Sequence, residues 1–310
     1  MSNQRIKNGF AKFRKQLGLQ CMVVPWVIWL LIFCYIPMYG IIIAFKDYRV
    51  VEGLFGGDWV GFKHFIRFFS DDQAWRAIWN TLGISFFKLI IGFPAPILFA
   101  LFLNELISVR FKKFVQTVSY LPYFISWVIM ANIIRSLFGL QGPVNDLLVQ
   151  LGLFQEPYSF IGSPNTWWAM IVGTDIWKNI GWNSIIYIAA ITGVNPEYYE
   201  SAIIDGAKRW QRIWYITLPA IMPTVTILLV LTVSGILNSN FDQMYLMNNS
   251  ATIEVGEVID TFVYKFGITN SRYSYATAVS LSKSVVSFIL LFGANFAVRR
   301  ASKGEYGLFT

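Results

Sequence analysis

Residues 200–219 read ESAIIDGAKRWQRIWYITLP. Glu200, Asp205, Lys208, Arg209 and Arg212 crowd into the first part of this stretch. Long apolar runs flank it on both sides, at about 167–191 and about 216–237. A charged interval between two bilayer-length runs has to meet something on the water side. Ile203, Ala207, Trp210 and Trp214 recur at i, i+4, i+7 and i+11 and predict one apolar helical face. Asp205, Arg209 and Arg212 fall on another face, with Asp205 and Arg209 spaced as an i, i+4 ion pair. Gly206 lies between two short helical pieces, where a positive φ or a close backbone approach is expected. By itself the stretch reads as an amphipathic connection lying at the membrane surface.

The flanking runs set the fold class. The chain has 310 residues, 55% hydrophobic and 14% charged, against roughly 25% charged in a soluble domain. Crossing ~30 Å of hydrocarbon takes roughly 20 apolar residues. Six runs reach that length, at about 22–45, 76–103, 115–138, 167–191, 216–237 and 275–298. The prediction is an all-α membrane protein of six transmembrane helices. Pro37 predicts a kink in the first, Pro94 and Pro96 interrupt the second, and Pro219 and Pro223 sit in the first turns of the fifth.

Basic residues set the orientation. With the N-terminus inside, the inner segments hold Arg5, Lys7, Lys12, Arg14, Lys15, Arg110, Lys112, Lys113, Lys208, Arg209, Arg212, Arg299, Arg300 and Lys303. The outer segments are longer and hold half as many: Lys46, Arg49, Lys63, Arg67, Arg135, Lys265 and Arg272. The positive-inside rule then places both termini in the cytoplasm. The expected division is a basic tail over 1–21, the six-helix domain over 22–298 with its charged loop at 197–219, and a second cytoplasmic tail over 299–310. A net charge of +8 is explained by these loops and calls for no nucleic acid. The basic start reads as a tail on anionic headgroups, not a cleavable signal, because the apolar run after it is too long. Cys21 and Cys34 imply no disulfide framework.

No enzyme constellation is present. There is no G-x-x-x-x-G-K-[ST], no H-E-x-x-H and no G-x-S-x-G, so neither a P-loop, a zinc site nor a nucleophile elbow is expected. The single histidine, His64, lacks partners at ligand spacing and reads as a surface residue, with no metal implied. Polar residues inside the runs carry more information, since charges there are costly. Asp175, Asn179, Asn183 and Tyr187 recur at i, i+4, i+8 and i+12, with Trp177 and Trp182 nearby and Lys178 placed to pair with Asp175. This stripe reads either as interhelical hydrogen bonding or as the wall of a substrate path. Aromatic faces beside amides suit sugars. Thr277, Ser280, Ser284 and Ser287 read as a close-packing face ahead of a substrate contact. Lys88 and Lys283 read as structural, paired with carboxylates or snorkelling. The run Asn238 to Gln243 must line water or protein, as a gate or as the start of an outer loop. Three function classes follow: a subunit of a driven importer, an ion-coupled carrier using Asp175, and a membrane enzyme, which the missing catalytic set disfavours.

One resemblance separates them. Glu200-Ser201-Ala202, three residues, Gly206, nine residues, then Ile216-Thr217-Leu218-Pro219 resembles the EAA loop of bacterial ABC importer permeases, with Ser201 in place of an alanine. Tyr35-Ile36-Pro37-Met38-Tyr39-Gly40, Ala44-Phe45-Lys46-Asp47-Tyr48, Trp59-Val60-Gly61-Phe62 and Val258 to Tyr264 are similar to the sugar permeases of the branch that takes up complex oligosaccharides such as aldouronates. The likeness spans nearly the whole chain.

The resemblance implies a type I importer arrangement in a bacterial inner membrane. Two permease subunits form the path, two cytoplasmic ATPase subunits bind ATP and magnesium, and an extracytoplasmic protein delivers the sugar. This chain itself would carry no cofactor. Glu200, Ser201, Ala202, Asp205, Gly206, Ala207, Lys208 and Arg209 are implied to shape the loop and meet the ATPase. Ile216, Leu218 and Pro219 are implied to anchor it. By likeness to maltose-type permeases, sugar contacts are expected among Trp177, Asn179, Trp182, Asn183 and Tyr187, then Asn238, Asn240 and Asp242. Alternating access by rocking of helix bundles is the implied mechanism.

Overall fold

The computed structural model describes residues 16–53 and 56–302. The basic residues up to Lys15 and the end from Lys303 lie outside the described residues. Helices dominate throughout. Helix α1 spans Leu17–Phe45. After a short connection come α2 (Lys63–Phe69) and the long α3 (Asp72–Asn104). Helices α4 (Val109–Phe124), α5 (Trp127–Phe138) and α6 (Pro143–Gln150) follow. Helix α7 (Pro164–Thr192) leads into the charged loop and its helix α8 (Pro196–Ile204). Helix α9 runs from Arg209 to Ser234. Three short helices, α10 (Phe241–Met247), α11 (Ile253–Gly256) and α12 (Ile259–Tyr264), precede α13 (Tyr273–Ala301).

Prolines shape the long helices in a regular way. Wide π turns occupy Leu31–Tyr35, Lys88–Gly92 and Ile213–Thr217. Each ends two residues before a proline: Pro37, Pro94 and Pro219. A proline lacks the N–H and crowds the carbonyl four residues back, so the preceding turn widens. The kink expected at Pro37 takes this form.

Among the described residues, four helices are long and apolar enough to cross a membrane: Leu17–Phe45, Asp72–Asn104, Arg209–Ser234 and Tyr273–Arg300. A fifth appears if a bent pair counts as one span. The run expected as one helix over 115–138 is broken: α4 and the helical stretch after it meet at 108°. Pro122 lies in the last turn of α4, and Ser126 starts a new helix, its hydroxyl accepting from the Ile129 N–H. Helix α7, 29 residues long, is ~43 Å at ~1.5 Å per residue. It has the length of a span without the apolar composition, because it carries the polar stripe. Six spans by composition is therefore more than the described residues show.

Three apolar clusters hold the bundle. One gathers Ile84, Met130, Ile134, Trp167, Ile171, Met244 and Met247. A second joins Phe68, Phe262, Phe266, Tyr275 and Val279. A third packs Ile97, Leu101, Tyr187, Ile191, Ile213 and Ile221 beneath the charged loop. The interval 238–272, expected as a polar outer loop, is instead folded back into the bundle. Met244, Met247 and Phe262 are buried. Asn80 donates to the carbonyls of Glu254 (2.8 Å) and Glu257 (3.0 Å), and Trp168 Nε1 donates to Val255 O (2.9 Å). These bonds satisfy backbone groups that would otherwise be orphaned inside the bundle. His64 is also not a surface residue. It is buried, with Nε2 3.1 Å from Lys46 O and 3.2 Å from Asp47 Oδ1.

Candidate functional site

Two features converge on α7. Its middle lines a cavity, and its end opens into the charged loop. The cavity lies between the first and third apolar clusters and measures about 720 Å³, within the roughly 300–1,000 Å³ usual for ligand sites. Asp175, Asn179, Asn183 and Tyr187 all border it; the stripe faces the cavity along Asp175, Asn179 and Asn183, and Tyr187 is packed into the third cluster at its end. Trp182 adds a ring, α3 contributes Ser85 and Lys88, and the chain beyond α9 contributes Asn238.

Other expected residues lie elsewhere. Trp177 is exposed and is not part of the cavity wall. Asn240 takes a left-handed φ of 56° before α10, and Asp242 is exposed in the first turn of that helix; neither lines the cavity.

Charges at the cavity pair differently from the i, i+3 expectation. Asp175 pairs with Lys88, Nζ to Oδ1 3.4 Å, and accepts from Asn179 Nδ2 at 3.1 Å. Lys88 also donates to Gln243 Oε1 at 3.2 Å. Gln243 is fully buried and donates from Nε2 to Ile171 O (2.8 Å) and Thr174 Oγ1 (3.1 Å). One ammonium therefore ties α3, α7 and α10 together. Lys178 turns away from Asp175, and its Nζ binds the carbonyls of Pro122 (3.0 Å) and Tyr123 (2.8 Å). The break after α4 explains the exchange: the helix ends there, so its last carbonyls lack the usual i+4 donors, and Pro122 O accepts only a short-range bond from the Ile125 N–H (3.2 Å). Sequence alone missed Gln243, although it closes the polar run that starts at Asn238.

A second groove, about 480 Å³, borders Asn238 on its other side. Ser280, Ser284 and Ser287 line it, so these hydroxyls are not a packed face. Lys283 pairs there with Asp260, whose other oxygen accepts from the Ser239 N–H at 3.1 Å.

The charged loop is built around Gly206. Helix α8 starts at Asn195, whose Oδ1 accepts from the Glu197 N–H at 3.1 Å. It ends in two reverse bonds, Gly206 N–H to Ile203 O (3.0 Å) and Ala207 N–H to Ala202 O (2.8 Å). That is a Schellman close, which needs a left-handed residue at Gly206 and places two apolar residues, Ala202 and Ala207, at the positions its backbone bond joins. Gly206 has φ +76°, and a Cβ there would meet nothing within 4 Å. Positive φ, not close approach, is the reason for glycine. The close also stops the helix, so Ile203, Ala207, Trp210 and Trp214 do not share one continuous face, and the spacing of Asp205 and Arg209 gives no ion pair among the described residues.

Beyond the turn, the Lys208 N–H donates to Gln211 Oε1 at 2.7 Å and starts α9. Glu200, Ser201, Asp205, Lys208 and Arg209 are exposed, Ile216 and Leu218 are half-buried, and Pro219 is exposed. The firmest anchor is one the spacing did not show: Tyr199 Oη lies 2.9 Å from the hydroxyl of buried Thr217. Ile203, Ile204, Trp210 and Tyr215 remain exposed.

Known proteins share this architecture. Residues 92–303 match the family model described as binding-protein-dependent transport system inner membrane component. Protein LplB of Bacillus subtilis (strain 168) is 42% identical over 300 residues, covering 96% of this chain and 93% of its own. The polygalacturonan/rhamnogalacturonan transport system permease protein YteP of the same organism is 41% identical, covering 99% and 94%. Among solved structures, a chain of a bacterial ABC transporter that imports the acidic polysaccharide alginate superposes with a TM-score of 0.87 at 40% identity, covering 94% of this chain and 99% of that one. A chain of a bacterial alginate ABC transporter in complex with an alginate pentasaccharide-bound periplasmic protein gives 0.87 at 39%, covering 96% and 99%. With the matched residues running from the cavity wall through the Gly206 loop to α13, this chain belongs to the binding-protein-dependent transport system inner membrane component family.

Proposed function

We propose that the chain is the transmembrane permease subunit of an ATP-driven oligosaccharide importer in a bacterial cell membrane. It supplies half of the translocation path, with a second permease subunit forming the other half. It couples through the 197–219 loop to separate ATPase subunits that bind ATP and magnesium, and both termini face the cytoplasm. An extracytoplasmic binding protein hands over the sugar, as the complex of the related alginate transporter with its periplasmic protein suggests.

The observation that carries this reading is the continuity of α7. One helix bears the polar wall of the cavity at residues 175–187 and meets the loop helix α8 after a connection of a few residues. A displacement at the exposed loop is therefore transmitted to the wall as movement of a rigid body. Amide edges at Asn179 and Asn183 beside the Trp182 ring suit the hydroxyls and C–H faces of a sugar. The ion-driven alternative loses support, because its candidate carboxylate, Asp175, is already engaged by Lys88.

Docking can be tested at Ile204, which is 86% exposed. Ile204→Glu should leave the permease pair intact in detergent and abolish co-purification of the ATPase. Undiminished recovery of the ATPase would count against the loop as its docking element.

A further inference from the structure

Lys178 is buried in the middle of α7, and no role in transport has been given to it so far. It is 6% exposed, and its nearest carboxylate in sequence, Asp175, pairs with Lys88. A buried ammonium without a carboxylate has to be held by other oxygens. Here three carbonyls do so: Pro122 (3.0 Å), Tyr123 (2.8 Å) and Ile125 (2.5 Å). All three lie at the end of α4 and the break after it. The ammonium also sits 5.7 Å from the Tyr123 ring centroid and 5.5 Å from that of Trp127, one ring on each side of the break. Cation–π attraction adds to the hold.

The held segment has a neighbour in the cavity. Tyr123 stacks on Trp182 with centroids 4.4 Å apart and planes within 3°. Phe124 meets the same indole edge-on at 5.6 Å. Trp182 lines the cavity one helical turn beyond Lys178. The two helices cannot adjust independently, because at Gly181 a Cβ would come within 2.1 Å of Ser119 O. Lys178, Tyr123 and Trp182 thus form one unit: ammonium to carbonyls, chain end to ring, ring to indole.

We propose that Lys178 is a positioning residue for sugar contact at Trp182, acting through the end of α4 and the Tyr123 ring. The proposal rests on the reading that the cavity is the sugar path. Without the ammonium the carbonyls at the break lose their common partner, Tyr123 is released and the indole loses its backing. An indole in several orientations presents less stacking surface to a sugar ring, so apparent affinity falls while the transport machinery stays assembled.

The test uses the complete transporter labelled with 5-fluorotryptophan, with Trp182→Phe identifying the Trp182 fluorine resonance. Lys178→Met should shift or broaden that resonance, and Lys178→Arg should restore it in part. Uptake is measured with whichever of alginate pentasaccharide, pentagalacturonate and xylopentaose the wild-type complex takes up fastest. Lys178→Met should raise the half-saturating concentration about fivefold or more, in the range of one lost aromatic contact, with a smaller change in maximal rate. In a Trp182→Ala background the same substitution should have little further effect, since both act on one contact. An unmoved Trp182 resonance in Lys178→Met overturns the positioning role. So does a fall in maximal rate alone that adds independently to Trp182→Ala. If the resonance moves but Trp182→Ala leaves half-saturation unchanged, what fails is the reading of the cavity wall as the sugar contact.

Discussion

Lys88 Nζ lies 3.4 Å from Asp175 Oδ1, joining α3 to α7 on the wall of the cavity. The ammonium carries a second bond to Gln243 Oε1 on α10. Three segments far apart in sequence therefore meet at one charge. Both members of the pair retain about a fifth of their side-chain exposure, and both line the cavity.

Removing one partner should cost more than removing both. Lys88→Met leaves a carboxylate without its counter-charge, a loss of about 1–3 kcal/mol. Lys88→Met combined with Asp175→Asn should recover most of it, because neither charge is then stranded. The midpoint of thermal unfolding of the purified complex, with and without each substitution, measures this. Additive losses would show that the two residues act independently.

Gly206 is required for its backbone conformation alone. Gly206→Val should cost about 1–3 kcal/mol of local strain and unravel the close at Ile203 and Ala202. Membrane insertion should be unaffected, and ATP-driven uptake should fall to background. Gly206→Asn should retain most uptake, since asparagine accepts a left-handed φ. Equal loss in both variants would point to a steric need that the open space around Gly206 does not show.

Two glycines of α7 should respond in opposite ways. Gly181→Ala drives a methyl against Ser119 O and the Tyr120 ring, with a cost of about 1–3 kcal/mol. Gly173→Ala meets nothing within 4 Å and should be neutral or stabilising by up to about 1 kcal/mol through helix propensity. Unfolding midpoints of the two variants separate the cases.

The outer connection makes a pH prediction. A hydrogen bond from Lys63 Nζ to Asp47 Oδ2 (2.8 Å) holds the Asp47 carboxyl below its ordinary range, against a smaller opposing effect of burial. A depressed carboxyl stabilises the fold above its unfolded value and loses that contribution as pH falls through the folded one. Asp47→Asn should therefore remove a loss of stability that sets in on the acid side, below about pH 4. The effect should be small, because both side chains keep much of their exposure to water.

Spacing made the loop at Gly206 legible, because a helix stop with a left-handed residue has few chemical solutions and they recur at fixed offsets. The stripe on α7 was legible for the same reason: a period of four residues survives any tertiary context. What spacing could not supply was the partner of each charge. Asp175 and Lys178 are adjacent on a helix turn, yet each found a better partner on another element, one on α3 and one at the break in α4. That break was itself hidden, since Pro122 lies in an apolar run long enough to read as one span. The folded interval 238–272 was hidden too, because its helices are too short to show a period, and its burial depends on Asn80 and Trp168 far away in sequence.

If the Gly206 loop couples this chain to a separate ATPase, the chain conducts oligosaccharide only when that ATPase drives it. Uptake into proteoliposomes tests it most directly, comparing the chain alone, the permease pair, and the pair with ATPase, binding protein, ATP and magnesium. Uptake is expected only in the last case, and should be lost on Gly206→Val with the complex still assembled. Uptake by the chain alone, driven by an ion gradient and abolished by Asp175→Asn, would contradict it.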